Sequence, residues 1–286
     1  MHNVALIGCG YWGSKLKRYI KLNPFFNLTY VCNSKTDLSE IWKNKSINTV
    51  VVATPNESHY RIVKEGLQSG KNVLSEKPLA LSGEEAEELQ KLSAGKKQVL
   101  VCEYTYTFSP GLQRVKQIVD NKVLGKIRSF QLSMKRFGRF GRGHVCWLLG
   151  SHMLSVLDMF CSIENFEYEK VNLLPSDGSE TNCILCHNNS QDQTGIISVS
   201  LNYPGKETRV ILYGDQGSVE YNELNHPTIV VRKYEKTKNL IENLDFDESN
   251  NLQHSIEYFA NVLQEKQVGN IDRAVKVSSI LKGKIL

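Results

Sequence analysis

The pattern of apolar and polar positions changes texture between residues 118 and 126. Up to about residue 105, short β-branched runs alternate with segments whose apolar residues recur at helical spacing, as in βαβ units on a parallel sheet. The runs predict strands over 3–7, 28–32, 49–54, 72–75 and 98–104. Between them, Leu16, Tyr19 and Ile20, then Ile62, Val63 and Leu67, then Ala86, Leu89 and Leu92 mark helix faces, and Ser82 with Glu85 forms a capping box for the last. A further helix opens at Pro110 and carries Leu112, Val115, Ile118 and Val119.

From Lys126 onward strands dominate, over 126–135, 166–171, 182–187, 194–203, 209–212, 218–221 and 228–234, with Gly214-Asp215-Gln216-Gly217 as a hairpin turn. One helix over 147–161 interrupts them, and helices over 252–264 and 272–281 close the chain. The expected architecture is α/β. A doubly wound parallel sheet occupies 1–118, and an α+β domain with a large, mostly antiparallel open sheet occupies 119–286.

Composition narrows the class without changing this picture. At 286 residues, with 41% hydrophobic and 23% charged residues and 7 prolines, the chain reads as an ordinary globular protein, neither disordered nor collagenous. No run nears the roughly 20 apolar residues of a membrane span, and the apolar start is too short for a signal segment, so no membrane partner and a cytoplasmic location are expected. The 7 cysteines are odd in number and scattered in apolar segments. Cys183-Ile184-Leu185-Cys186-His187 matches a haem-attachment string, but strand alternation points the two cysteines to opposite faces. No second cysteine pair accompanies it, and no metal is expected.

The first strand runs into Gly8-Cys9-Gly10-Tyr11-Trp12-Gly13 and then a helix, the context the G-x-G-x-x-G fingerprint needs. Glycines permit the tight turn and let a pyrophosphate approach the N–H groups at the positive helix end. The second strand ends without the carboxylate that would hold an NAD ribose; Asn33, Ser34 and Lys35 stand there instead. Two donors and no repelling acid favour NADP over NAD, although Lys35 also fits a solvated loop.

The series GCGYWG, ATPNESH, NVLSEKPLA, YTFSP, LGSHMLSVLD and YPGKETRVILYGDQGSVEYNE closely resembles the NAD(P)-dependent oxidoreductases of the glucose-fructose oxidoreductase, inositol dehydrogenase and MocA family, over nearly the whole chain. The resemblance implies a Rossmann domain whose cofactor contacts include Gly8, Gly10, Tyr11, Trp12, Gly13, Asn33, Ser34, Lys35, Thr54, Pro55, Asn56, His59, Glu76, Lys77 and Pro78. It implies that Lys77 polarises the substrate oxygen as hydride moves, aimed by Pro78, and that His152 exchanges the proton. Tyr104 and Trp147 would line the substrate site, and the C-terminal sheet would make a homo-oligomer, a dimer or tetramer.

Three departures accompany the resemblance. Leu148 stands where the family carries an aspartate four residues before the histidine, so Tyr104, Tyr106 or His144 are alternative proton groups. Residues 33–48 hold a single shortened element, 36–43, and Thr107 replaces a basic residue.

Charge adds something the resemblance does not. The net charge is +5, and no acid occurs from Asn121 to Leu157, where Lys122, Lys126, Arg128, Lys135, Arg136, Arg139 and Arg142 cluster. Arg136, Arg139 and Arg142 with Phe137 and Phe140 would suit an anionic sugar, most simply a nucleotide-linked one. A solvated or subunit-contact face is the competing reading; nucleic acid is disfavoured because the patch is local. The expected activity is reversible hydride transfer between a nicotinamide and a sugar carbinol or ketone. The alternatives are a catalytically weak regulatory homologue, favoured by Leu148, and a reductase of a non-sugar carbonyl or imine.

Overall fold

The computed structural model describes residues 1–137, 144–172, 181–234 and 240–286, side chains 181, 183 and 189 apart. The chain divides into two compact units: residues 1–105 with 252–283, and residues 106–251 with 284–286.

The first unit begins β1 (His2–Ile7), α1 (Tyr11–Leu22), β2 (Phe26–Cys32), α2 (Leu38–Lys43), β3 (Thr49–Val52), α3 (His59–Gln68), β4 (Asn72–Glu76), α4 (Gly83–Lys96) and β5 (Leu100–Glu103). The strands are all parallel in the order β2-β1-β3-β4-β5. Residues of β3 are buried throughout, as a strand covered on both faces requires. All five expected strands are present with small shifts at their ends. Residues 33–48 hold only the six-residue α2, whose N-cap Asp37 accepts hydrogen bonds from the Ser39 N–H and hydroxyl.

The second unit contains α5 (Pro110–Asp120), β6 (Ile127–Phe137), α6 (Ser151–Leu157), β7 (Glu167–Asn172), β8 (Thr181–Asn188), β9 (Gln193–Ser200), β10 (Asn202–Gly214), β11 (Gly217–Asn222), β12 (Ile229–Lys233) and β13 (Leu240–Leu244). They form an eight-stranded sheet in the order β13-β12-β11-β10-β6-β9-β8-β7, antiparallel except for the β6–β9 pair. The expected continuous strand over 194–203 is broken at Leu201. β9 and β10 flank β6 on opposite sides and run in opposite directions, so the chain crosses the end of β6 there. The exposed edge strand β13 was not legible because its apolar residues, Leu240, Ile241 and Leu244, do not alternate with polar ones.

The expected helix over 147–161 is also divided. A π-turn occupies Cys146–Gly150, with the Ser151 N–H donating to Cys146 O, and α6 follows. Residues four apart share a face in an α-helix but not across a π-turn, which loosens the expected pairing of position 148 with His152.

The chain then returns to the first unit as α7 (Asn251–Glu265) and α8 (Ile271–Ile280). Strand alternation turns Val4, Leu6, Val51, Leu74 and Val101 to one face, where they pack with Leu16 and Ile20 of α1 and with Leu252, Ile256 and Phe259 of α7. The free edge of β5 is closed by one side chain. Asn270 accepts from the Cys102 N–H at 2.9 Å and donates to Cys102 O at 2.7 Å, standing in for a neighbouring strand. No helix among the described residues is long and apolar enough to cross a membrane.

Candidate active site

The β1–α1 turn is built around three glycines with different duties. Gly8 sits at φ +92°, in the left-handed region, and an added Cβ would collide with Ala53 O. A Cβ at Gly13 would collide with Gly8 O, so this glycine lets α1 close onto the turn. At Gly10 an added Cβ meets nothing within 4 Å. Gly10 is also the N-cap of α1; no side chain caps it, and the first turn of α1 holds no acid. The open space above Gly10 and the uncapped N–H groups fit a pyrophosphate. Tyr11 and Trp12 are exposed beside this turn, with the Lys15 ammonium 4.6 Å from each ring centroid.

At the end of β2, Asn33 closes a turn. Its side chain accepts from the Lys35 N–H at 2.9 Å, and its own N–H donates to the Thr36 hydroxyl at 3.0 Å. That leaves Ser34 and Lys35 exposed. The nearest following acid, Asp37, is occupied as the cap of α2. The end of β2 itself thus offers an amide, a hydroxyl and an ammonium, with the Asp37 carboxylate committed to Ser39.

After β3, the Ser58 hydroxyl lies 2.8 Å from Thr54 Oγ1 and 2.7 Å from Pro55 O, folding Thr54, Pro55 and Asn56 into a tight turn. His59 is wholly buried, its Nδ1 2.7 Å from Pro78 O and its Nε2 2.8 Å from Thr54 O. Expected as a cofactor contact, it instead ties the turn after β3 to the turn after β4, because both ring nitrogens are committed to main-chain carbonyls. Burial pulls its pKa down, against the raising effect of those two carbonyls.

Lys77 follows β4 and precedes Pro78 across a cis peptide bond. Burial pulls the lysine down to about 8, partly opposed by the Glu76 carboxylate; burial pushes Glu76 up to about 7, opposed by the Lys77 charge. Tyr104, expected to line the substrate site, is 0% exposed, its phenol against the Cys102 thiol. It is a core residue, offering no surface to a ligand.

In the second unit, His152 lies in the first turn of α6 with its ring edge-on to Tyr106, centroids 5.1 Å apart. Trp147 lies in the π-turn, its carbonyl accepting from the Ser151 hydroxyl at 2.7 Å. His144 Nδ1 accepts from the Cys146 N–H at 3.2 Å, which makes it a cap for the π-turn.

The basic run behaves differently in three dimensions. Arg128 pairs with Asp215 at 2.7 Å and Asp192 at 3.1 Å, and Lys135 pairs with Glu207 at 3.0 Å. Arg136 is 7% exposed and donates to Lys135 O, Glu207 O, the Tyr106 hydroxyl and the Thr208 hydroxyl, with Glu223 3.8 Å away. Its terminal donors are used up inside the unit, so the expected substrate role of Arg136 gives way to a structural one. Arg139 and Arg142 lie outside the described residues. We expect Arg136→Ala to lower stability by about 3 kcal/mol in urea unfolding, since it removes the four hydrogen bonds of a buried side chain and leaves their acceptors short of a donor, while Glu223 keeps its pair with Lys206 at 2.7 Å. A loss under about 0.5 kcal/mol would return the arginine to ligand binding.

Sequence reasoning missed Glu103, a carboxylate ending the buried strand β5 directly beside Glu76 in the β4–β5 register. Its signal was available: an acid closing the apolar run Leu100-Val101-Cys102.

Comparison with known proteins agrees with this geometry. Residues 2–104 match the family described as "Oxidoreductase family, NAD-binding Rossmann fold", and residues 112–220 match the "GFO/IDH/MocA C-terminal domain". The chain is 28% identical over 137 residues to a 2,7-anhydro-N-acetylneuraminate hydratase of Mediterraneibacter gnavus, covering 43% of this chain and 37% of that protein. It is 31% identical over 99 residues to a levoglucosan dehydrogenase of Pseudarthrobacter phenanthrenivorans, covering 35% of this chain and 25% of that protein. The matches thus span only 37% and 25% of these relatives' own lengths. A 3-ketoreductase from Actinomadura kijaniata, solved with TDP-benzene and NADP, shares the fold at a TM-score of 0.84 with 18% identity, over 98% of this chain and 95% of that one. With residues 2–104 and 112–220 matched, the chain belongs to the GFO/IDH/MocA family of oxidoreductases.

Proposed function

We propose that this protein is an NADP-preferring oxidoreductase that transfers hydride between a nicotinamide and a carbinol or ketone carbon of a sugar. The observation that carries the reading is the open space at Gly10, above uncapped helix N–H groups, in the same unit as the half-buried Lys77. When bound, the nicotinamide supplies or accepts hydride at its C4. The chain's own residues do the rest. N–H groups of the first turn of α1 hold the pyrophosphate, and Ser34 with Lys35 donate to a 2′-phosphate. The Lys77 ammonium polarises the substrate carbonyl and stabilises the alkoxide as charge develops. In the second unit, His152 is assigned the proton exchange.

Support for a sugar comes from relatives: one is named a levoglucosan dehydrogenase, and a fold neighbour was solved with TDP-benzene. A nucleotide-linked sugar is the finer proposal. Because the cations of β6 are internally paired, it rests on Arg139 and Arg142. Self-association through the open sheet face is consistent with Leu185 and Ile196 standing 38% and 39% exposed there.

Titration with NADPH and with NADH at fixed ionic strength, followed by nicotinamide fluorescence, tests the reading. Saturable binding tighter for NADPH is expected, and Lys35→Glu should weaken NADPH about tenfold with little effect on NADH. Failure of either dinucleotide to bind the folded protein would overturn it. Binding without oxidation or reduction of TDP-hexoses, free hexoses or inositols would favour the cofactor-binding homologue that Leu148 suggests.

A further inference from the structure

We propose that Glu103 is a positioning residue for Lys77, acting through Glu76: the two carboxyl groups lie side by side on neighbouring strands and hold one proton between them. The inference rests on the reading of Lys77 as the group that polarises the substrate, and it concerns what keeps that lysine charged.

β4 and β5 are parallel and in register at Glu76 and Glu103. Strand alternation turns both side chains to the face of Leu74 and Val101, which α7 covers. Glu103 is 0% exposed. From α7, Ser255, equally buried, brings its hydroxyl against Glu103 Oε2, while the same hydroxyl lies 3.0 Å from Leu252 O.

A hydroxyl has one proton to give, and both neighbours are acceptors when Glu103 is ionised. A protonated Glu103 resolves the conflict. Its O–H donates to Ser255 Oγ, and the Ser255 O–H donates to Leu252 O. Two carboxyl groups side by side, Glu103 fully buried and Glu76 partly so, do not both ionise at neutral pH, so a single negative charge remains and falls to Glu76, beside Lys77.

The electrostatics agree with that arrangement. Burial first, then the Glu76 charge, pushes Glu103 up to about 8; the groups facing the pair are Lys77 and the Cys102 thiol, with the hydroxyls of Ser255 and Thr105. One negative charge keeps the half-buried ammonium protonated near neutral pH. Two would raise its pKa and make it a weaker acid; none would let burial strip its proton.

The test reads the lysine and the carboxyl directly, without turnover. Lysines of the full chain are ¹³C-dimethylated, and the Lys77 resonance, assigned by its loss in Lys77→Arg, is titrated by NMR. In Glu103→Gln the amide takes the place of the protonated carboxyl and Glu76 keeps the single charge, so only the second charge that wild-type Glu103 gains as pH rises toward about 8 is lost. The Lys77 titration should therefore stay in place or move down by less than roughly one pH unit. A midpoint that moves up overturns the proposal, as does a fall of more than about one unit, which would mean that wild-type Glu103 already carries a full negative charge.

A second measurement needs no variant. The infrared spectrum of the wild type at neutral pH should contain the carbonyl stretch of a buried protonated carboxyl group, absent from Glu103→Gln; its absence from the wild type also overturns the proposal. Stability separates this from simple packing. The folded pKa of Glu103 is raised, so its stabilising effect is full below the ordinary carboxylate range and is lost as pH rises toward about 8. Thermal midpoints of the wild type should fall across that window relative to Glu103→Gln, whereas a packing role would offset the two curves equally at every pH. If the protein proves to bind no dinucleotide, these readouts still decide the proton question.

Discussion

Replacing Lys77 by alanine should lower turnover about 10³-fold while changing NADPH affinity less than tenfold and leaving the protein folded. The ammonium acts on an oxygen whose negative charge grows only as hydride moves, so its removal raises the barrier more than it weakens ground-state binding. Folding should survive for a related reason. Burial already disfavours the charged lysine, and without the Lys77 charge Glu76 takes up a proton more readily at neutral pH. Lys77→Arg should not restore activity, because a planar guanidinium cannot occupy the position of a compact ammonium after a buried strand. Single-turnover rates and thermal midpoints measured together check the prediction. A tenfold loss or less would move the acid role to another group, with His152 and Tyr106 the first to examine.

The second large effect separates the duties of the glycines in the β1–α1 turn. Gly13→Ala should destabilise by roughly 3 kcal/mol, because the added Cβ collides with the main-chain oxygen of Gly8, which cannot move without breaking the turn. Gly10→Ala should leave the thermal midpoint almost unchanged, since its backbone, at φ −74°, suits any residue and the new methyl meets nothing. Its effect falls on the ligand. The methyl enters the space through which the pyrophosphate reaches the helix N–H groups, and NADPH affinity should drop at least tenfold. Thermal unfolding with and without NADPH reads both outcomes. Unimpaired binding in Gly10→Ala would place the pyrophosphate elsewhere and remove the main support for the proposed function.

What the sequence by itself determined is whatever its local chemistry controls. Five β-branched runs separated by helical periodicity were enough for the parallel sheet, because a strand buried on both faces must be apolar throughout, as β3 is. The G-x-G-x-x-G turn was legible because a left-handed residue and two close approaches need glycine there and nowhere else in that stretch. The turn that ends β4 at Lys77-Pro78 was legible from the Glu76-Lys77-Pro78 tripeptide.

Tertiary structure decided everything that depended on which distant residues meet. The basic run on β6 read as a free cationic surface because its carboxylate partners, Asp192, Glu207, Asp215 and Glu223, lie 64 to 87 positions away along the chain. Strand register brings them together. His59 read as a ligand contact until two main-chain carbonyls from different turns were seen to hold its ring. The closing helices belonged by sequence position to the second half, yet α7 covers the apolar face of the first sheet and Asn270 seals its last strand. Periodicity reveals that a helix has a face to bury but not which sheet it covers. The pairing of Glu76 with Glu103 is likewise a property of β4–β5 register, which no spacing along the chain encodes.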